Sequence, residues 1–271
     1  MKGLALGPES SWRTDSPASR RWACLRLLSA WLTKVSRSSC STFATLGASD
    51  GMPRGHVLAH TQLDDLRAGL SFLGDRADVD AGRLALWGAS YGGGHALVLG
   101  ALDPRVKVVI GVVPALGLVR TAAAAGRLDR LRQLAAHFQA AMSKGDHPTV
   151  EAVAPDNRPA AMPGDEAYKW VTAQAANAPL WQNEITVESL VRAMEYVPSA
   201  YVDLLAPKPL RLQAAMEDAL SPLDVIEEVF GRAGEPKRLE VYPCRHFEIY
   251  DSPYRDEALD VEVDWLNKYL V

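Results

Sequence analysis

The segment from which the fold can be read is Arg83-Leu84-Ala85-Leu86-Trp87-Gly88-Ala89-Ser90-Tyr91-Gly92-Gly93-Gly94-His95-Ala96-Leu97. Its apolar start, residues 84–87, predicts a short buried strand, and residues 94–102 predict the helix that follows. The glycines between them allow a turn too tight for larger side chains, with Ser90 exposed at its apex. Gly-x-Ser-x-Gly between a strand and a helix is typical of a nucleophile elbow. The alternative is a Gly/Ser turn without chemistry, which the flanking strand and helix disfavour.

A serine hydroxyl is a weak nucleophile and needs a base to accept its proton and a carboxylate to orient that base. Asp218 follows a predicted strand at residues 209–215, and His246 follows the last predicted strand, residues 238–242. The ends of parallel strands share one edge of a sheet, so we expect both side chains to lie beside Ser90. The chain order Ser, Asp, His is the order known for hydrolases with this turn.

Each of these assignments has an alternative. Glu217 could be the acid. Asp218 fits better, because its spacing to Pro222 matches the usual spacing in the loop that carries the acid of such a triad. His246 could be a surface loop histidine. The other histidines fit worse, because they lie on the predicted elbow helix, in the middle of the chain or before the serine: His95, His137, His147, His56 and His60.

Acyl transfer also needs hydrogen-bond donors for the developing oxyanion. The backbone N–H of Tyr91 is one candidate, and Leu4, in a glycine-bearing stretch at the start of the chain, is the other. Trp181, Tyr168 and His95 are candidates for substrate contact. The simpler interpretation is that these three side chains only pack the predicted cap onto the core.

The predicted architecture is α/β, a mostly parallel sheet with helices on both faces. Residues 46–116 and 207–271 are predicted to form this core, with Pro222 in the first turn of a helix and Ser221 as its cap. Residues 117–206 carry helical patterns and loops with no convincing strand, and we interpret them as an inserted helical cap. An insertion after a sheet strand faces the edge where the strands end.

Residues 1–45 differ from the remainder of the chain. They carry seven Lys and Arg against two acidic residues and hold nine serines, which leaves about −9 for the remainder of a chain whose net charge is −4. An Arg- and Ser-rich, acid-poor start is typical of a targeting peptide. The other interpretation is an altered sequence from a mis-assigned start or splice boundary. The first strands of the sheet and part of the oxyanion hole would then be incomplete.

Composition excludes several classes of function. No basic stripe indicates nucleic-acid binding, and no apolar run is long enough to span a membrane. Three cysteines at no metal spacing argue against a disulfide framework or zinc site and favour a reducing, cytoplasmic compartment, or an organelle if residues 1–45 are a transit peptide. The chemistry predicted above needs no cofactor. We expect a small-molecule ester or acyl substrate as partner, and the composition leaves a homodimer open.

Several motifs together resemble one family. From about Thr45 onward the chain is similar to α/β-hydrolases of the X-Pro dipeptidyl-peptidase-like and acetyl-xylan-esterase-like group, which includes secondary-metabolite hydrolases and polyketide acyltransferases. The matching segments are Gly47-Ala48-Ser49-Asp50-Gly51, residues 86–93, residues 101–107, Trp181-Gln182-Asn183-Glu184 and Pro243-Cys244-Arg245-His246-Phe247. The resemblance implies a Ser90–Asp218–His246 triad and a helical cap. The chain departs from the group before residue 45, where several strands are expected.

Three functional hypotheses follow. The first is a serine hydrolase that cleaves an ester, thioester or lactone of a medium-sized apolar metabolite. The second is an acyltransferase with the same triad, in which an alcohol or amine replaces water. The third is a truncated, inactive hydrolase-like protein that keeps the triad residues.

Overall fold

The protein has an α/β architecture in the computed structural model, which describes residues 6–7, 39–40, 42–124, 126–156 and 158–270. The strands are, in chain order, β1 (Leu6–Gly7), β2 (Ser39–Cys40), β3 (Leu84–Ala89), β4 (Val106–Val112), β5 (Thr149–Val150), β6 (Val153–Ala154), β7 (Met162–Pro163), β8 (Ile185–Thr186), β9 (Leu210–Ala215) and β10 (Lys237–Tyr242). The helices are α1 (Ala59–Gly74), α2 (Tyr91–Leu102), α3 (Leu118–Ala124), α4 (Leu128–Met142), α5 (Asp165–Ala175), α6 (Val187–Glu195), α7 (Leu223–Arg232) and α8 (Tyr254–Tyr269). Short 3₁₀ segments span Pro198–Leu204 and Glu248–Tyr250.

The central sheet pairs four strands in the order β10-β9-β4-β3, and all three pairings are parallel. Because the strands are parallel, their carboxyl ends lie at one edge. Ser90, Asp218 and His246 each follow a strand of this sheet at that edge. The short strand β1 pairs in parallel with β2 and lies beside β3.

Alternating side chains of the sheet pack into two hydrophobic clusters, one on each face. Leu84 and Leu86 of β3 enter a cluster with apolar residues of α1, α2 and α7, whereas Ala85 between them enters a cluster with residues of α8. Successive residues of a strand point to opposite faces, and a parallel sheet with helices on both sides buries both. The predicted α/β class with helices on both faces is therefore confirmed.

The elements agree with the sequence patterns except in detail. Helix α2 begins directly after Ser90, three residues earlier than predicted. The Ala- and Leu-rich stretch after residue 117 forms two helices, α3 and α4, one of the two outcomes left open. The expectation of no strand there was wrong, because β5 pairs with β8 and β6 with β7. Two-residue strands are too short to leave a periodic pattern.

The predicted cap of α7 was also wrong. The N-cap is Pro222, so the proline precedes the first turn instead of lying within it. The buried Ser221 hydroxyl has no hydrogen-bond partner among the described residues, so it does not cap the helix. The backbone N–H of Ser221 instead donates to Asp218 Oδ1 at 2.7 Å. The loop after β9 that carries Asp218, and not helix α7, sets the conformation of this serine.

The turn at the end of β3 is built around a close backbone contact. Ser90 has φ 49° and ψ −119°, a conformation that a residue other than glycine adopts at a cost of order 1–3 kcal/mol. A Cβ atom at Gly88 would overlap the carbonyl group of Gly92, and one at Gly93 would lie 2.7 Å from Pro114 Cβ. A Cβ atom at Gly92, in contrast, would meet no described atom within 4 Å. The two glycines of the Gly-x-Ser-x-Gly motif are therefore not equivalent.

This difference predicts opposite effects for two matched substitutions. Gly88→Ala should lower the free energy of unfolding by about 2 kcal/mol or more, because backbone must move to admit the methyl group. Gly92→Ala should be neutral or stabilising by up to about 1 kcal/mol, because alanine is favoured over glycine in a helix. Urea unfolding of both variants measures the difference. Equal losses at the two positions would contradict the close contact at Gly88.

Candidate active site

Three predicted residues meet at the carboxyl edge of the sheet. Ser90 Oγ lies 3.1 Å from His246 Nε2, and His246 Nδ1 lies 2.7 Å from Asp218 Oδ2. Both distances are within the range of normal hydrogen bonds. Glu217, the alternative acid, is exposed, whereas Asp218 is buried. The structure therefore places Asp218, and not Glu217, against the imidazole.

The orientation of the imidazole follows from its partners. A carboxylate only accepts hydrogen bonds, so Nδ1 of His246 donates to Asp218 and Nε2 is left to accept from the hydroxyl of Ser90. The other carboxylate oxygen of Asp218 accepts the backbone N–H groups of Leu220 and Ser221, each at 2.7 Å. Asp218 and His246 are only 7% and 2% exposed, so their electrostatic interaction is little screened by water.

The Ser90 backbone is held from the neighbouring strand. Its N–H donates to Val112 O at 2.9 Å, and its carbonyl accepts the N–H of Ala115 at 2.9 Å. Between these residues, Val113 adopts a φ of 39°, which is rare for a β-branched side chain. This sharp turn brings Pro114 against Gly93. These contacts could not be predicted from the sequence, because a buried β-branched strand gives no signal for a left-handed residue at its end.

Tyr91, the predicted oxyanion donor, is the first residue of α2. The first N–H groups of a helix lack acceptors within the helix, and the helix dipole favours negative charge there. The side chain of Tyr91 has no part in this role, because only the backbone N–H would donate. Its ring packs edge-on against His95, and burial raises the pKa of the phenol to about 12. Leu4, the second predicted donor, lies outside the described residues.

His95 belongs to α2, and its side chain is buried in the core. Its ring is fully buried, with Nε2 2.8 Å from Gln62 Oε1 and Nδ1 2.9 Å from the hydroxyl of Tyr196. The amide oxygen of Gln62 can only accept, so Nε2 carries the proton and Nδ1 accepts from Tyr196. Both ring nitrogens thus bond to protein, and this placement corresponds to the packing role and not to substrate contact.

Trp181 and Tyr168 pack in one apolar cluster with Phe247, the residue after His246. The cluster also contains Trp170 and Val153, so it joins the 117–206 segment to the loop that carries the histidine. This packing is the simpler of the two interpretations given above for Trp181 and Tyr168. It places both side chains near the histidine loop, and whether they also contact an acyl group stays a prediction.

Side-chain hydrogen bonds fix the backbone at two of the motifs that carry the family resemblance. The side-chain amide of Asn183, in Trp181-Gln182-Asn183-Glu184, accepts from Val153 N and donates to Val153 O, both at 2.9 Å. The Arg54 guanidinium, just after Gly47-Ala48-Ser49-Asp50-Gly51, donates to Gly47 O at 2.6 Å and also to Ser49 O. Neither role was foreseen, although an amide or a guanidinium beside a loop can bond to several backbone groups.

The described part of the chain offers neither a metal-binding cluster nor a membrane-spanning helix. Its residues 42–124, 126–156 and 158–270 contain no group of three or more His, Cys, Asp or Glu side chains arranged to hold a metal ion. Within the same stretches, every helix is too short or too polar to cross a bilayer.

The burial of His95 predicts a pH-dependent stability. Burial lowers the pKa of His95 from 6.5 to about 4. The unfolded chain therefore binds the extra proton first, and this residue costs stability as the pH falls from about 6.5 to about 4. One pKa unit corresponds to 1.36 kcal/mol, so the full loss from this residue is about 3 kcal/mol.

The measurement compares urea unfolding of wild type and His95→Gln between pH 7 and pH 4. Other titrating groups contribute equally to both proteins, so the stability of the variant should fall less steeply by about that amount. Identical slopes in the two proteins would show that His95 is already protonated or accessible in the folded state.

Known proteins resemble this chain over most of its length. Residues 34–146, which include Ser90 and end before Asp218 and His246, match the family model described as acetyl xylan esterase. The chain is 27% identical to polyketide transferase claH of Penicillium crustosum over 83% of this chain and 76% of that protein. It is also 27% identical, with the same coverage, to thiohydrolase apmlB of Arthrinium phaeospermum.

Solved structures show the same architecture. The α/β hydrolase GrgF from Penicillium sp. sh18 superposes with a TM-score of 0.76 at 21% identity, covering 99% of this chain and 90% of that one. DcsB, solved with its substrate analogue, superposes with a TM-score of 0.80 at 18% identity and the same coverage. The chain therefore has the α/β-hydrolase fold, as its motifs predicted, and its sequence relatives include polyketide transferases and thiohydrolases.

Proposed function

We propose that the protein is a serine hydrolase that cleaves an ester or thioester of a medium-sized apolar metabolite through an acyl-enzyme. The observation that carries the proposal is the continuous hydrogen-bonded series from Ser90 Oγ through the imidazole of His246 to the buried carboxylate of Asp218. A solvent-exposed serine without a base would remain a weak nucleophile. Here the base is already in contact with the hydroxyl and oriented to receive its proton.

The proposed reaction has two halves. Ser90 Oγ attacks the carbonyl carbon while its proton moves to His246 Nε2, and Asp218 stabilises the resulting imidazolium. The oxyanion accepts the N–H of Tyr91 at the start of α2. When the tetrahedral intermediate collapses, the imidazolium returns the proton to the leaving oxygen or sulfur. Water then attacks the acyl-enzyme with His246 as base, and the acid is released.

The segment 117–206 is proposed to act as a cap over this edge of the sheet. It follows β4, whose carboxyl end lies at that edge. Its helix α5 and Trp181 pack against Phe247, beside the proposed base. An insertion in this position can supply an apolar wall for the acyl chain and restrict water.

Ser90→Ala tests the nucleophile. The variant should lose at least about 10³-fold in kcat/KM, because residual catalysis without a triad member is small compared with the complete site. Hydrolysis of p-nitrophenyl esters from acetyl to decanoyl, together with labelling by a fluorophosphonate, provides the measurement.

The control is Ser49→Ala, which removes a hydroxyl of another matched motif that bonds to Thr42 O and lies outside the triad. This variant should still be labelled. Labelling of Ser90→Ala equal to that of wild type would remove Ser90 from the mechanism. A folded wild-type protein with neither labelling nor turnover would favour the inactive, hydrolase-like alternative.

Acyl transfer is the second candidate, favoured by the similarity to polyketide transferase claH. The same acyl-enzyme would then be attacked by an alcohol or amine in place of water. The reaction product distinguishes the two functions when an acyl thioester donor and a primary alcohol are both present. A hydrolase should release mainly the free acid, whereas a transferase should form the new ester. Mass spectrometry of the products measures the ratio. Formation of ester in large excess over acid would replace hydrolysis as the proposal.

A further inference from the structure

The loop that carries His246 is held by a helix of the inserted segment. Glu166, in the first turn of α5, accepts the backbone N–H of Phe247 at 3.3 Å through Oε1. One turn later, the ring of Trp170 stacks on Phe247 with a centroid distance of 5.0 Å and an interplanar angle of 28°. The indole N–H of Trp170 donates to Asp251 Oδ2 at 3.2 Å. Three contacts thus tie this helix to residues 247–251.

These contacts lead directly to the proposed base. The ring of Phe247 lies between Trp170 on one side and the imidazole of His246, 4.9 Å away in an edge-to-face arrangement, on the other. Tyr250, which also packs against Trp170, forms a second edge-to-face contact with His246 at 6.0 Å. Edge-to-face pairs fix both the distance and the tilt of a ring. Moving α5 would therefore move the imidazole.

The placement of the imidazole matters because proton transfer depends steeply on geometry. The bond from Ser90 Oγ to His246 Nε2 is 3.1 Å, near the long end of a normal hydrogen bond. A displacement of about 1 Å at a reacting group can cost about 10²-fold in rate. Asp218 fixes one side of the ring, but a single hydrogen bond at Nδ1 leaves the ring free to swing about it. A second support is needed to hold Nε2 against the serine.

We propose that Glu166 and Trp170 are positioning residues for His246, so that the segment covering the substrate also sets the geometry of the general base. The proposal rests on the proposed function, in which His246 is that base. Neither side chain reaches the reacting atoms: Glu166 acts through Phe247, and Trp170 acts through Phe247 and Tyr250. A shift of α5 that accompanied substrate entry would change the distance from Nε2 to Ser90 Oγ in the same movement.

The kinetic test uses three variants of α5. Glu166→Ala removes the acceptor for Phe247 N–H and should lower kcat about tenfold with KM changed less than about threefold. Glu166→Gln keeps an acceptor oxygen at the same place and should restore most of the rate. Lys169→Ala is the matched control, because this exposed side chain on the same helix pairs only with Asp165 in the described contacts. It should equal wild type.

A second pair of variants separates packing from hydrogen bonding. Trp170→Phe keeps an aromatic ring over Phe247 and loses only the bond to Asp251, so it should lose little rate. Trp170→Ala removes this bond together with the ring contacts to Phe247 and Tyr250, and it should lower kcat about as much as Glu166→Ala. Urea unfolding of every variant identifies any that does not fold, and whichever of Glu166→Ala and Trp170→Ala folds then carries the comparison with its conservative variant.

A measurement that does not depend on activity distinguishes the positioning role of Glu166 and Trp170 from the proposed hydrolase function. The proton on His246 Nδ1, shared with Asp218, should give a downfield proton NMR signal that His246→Gln removes. Broadening or loss of this signal in Glu166→Ala, with retention in Glu166→Gln and Lys169→Ala, would support the positioning role even if wild type hydrolysed no ester. Wild type without turnover would overturn the proposed function alone.

The positioning role itself has a clear contrary result. It is overturned if Glu166→Ala and Trp170→Ala fold, keep the wild-type downfield signal and retain the kcat of Lys169→Ala. It is also overturned if Glu166→Ala raises KM with kcat unchanged, because α5 would then contact substrate without influencing the base.

Discussion

The close approach of the Gly88 Cα to the carbonyl of Gly92 is the constraint on which the site depends. It lets β3 reverse into α2 within a few residues and leaves Ser90 at a φ of 49°, with its hydroxyl at the edge of the sheet. The strain in such a turn persists only when its surroundings over-determine it. Here the surroundings are Val112, Pro114 and Ala115, which bond to or pack against the turn from the next strand.

The parallel sheet brings Asp218 and His246 to the same edge as this turn. Each of three side chains follows a different strand, and because all the strands run in one direction, all three emerge at the same edge. Burial then strengthens the contacts between them, since Asp218 and His246 are largely removed from solvent screening. The carboxylate is satisfied by two backbone N–H groups and one imidazole N–H, so its burial leaves no unpaired charge.

Helix α5 of the segment 117–206 packs against the loop that carries His246. Trp170 stacks on Phe247, and Phe247 meets His246 edge to face, so the packing of α5 and the direction of the imidazole are physically connected. His95 of α2 joins Gln62 of α1 to Tyr196, which follows α6. The segment is thus tied to the core in two places, once through aromatic contacts and once through a buried hydrogen-bond chain.

Sequence alone determined the α/β class, the four central strands and the turn that carries Ser90, and it predicted that a carboxylate and His246 would lie beside that serine. Those features are local or topological: a tight turn requires glycine, a buried strand requires an apolar run, and parallel strands share an edge. Tertiary structure decided the remainder. It placed Asp218 instead of Glu217 against His246, buried His95 with both nitrogens bonded, and left Ser221 without a capping role. It also brought Glu166 and Trp170 to Phe247, about eighty residues away along the chain. No periodicity or motif encodes such contacts, because they arise only when two packed elements come into register in three dimensions.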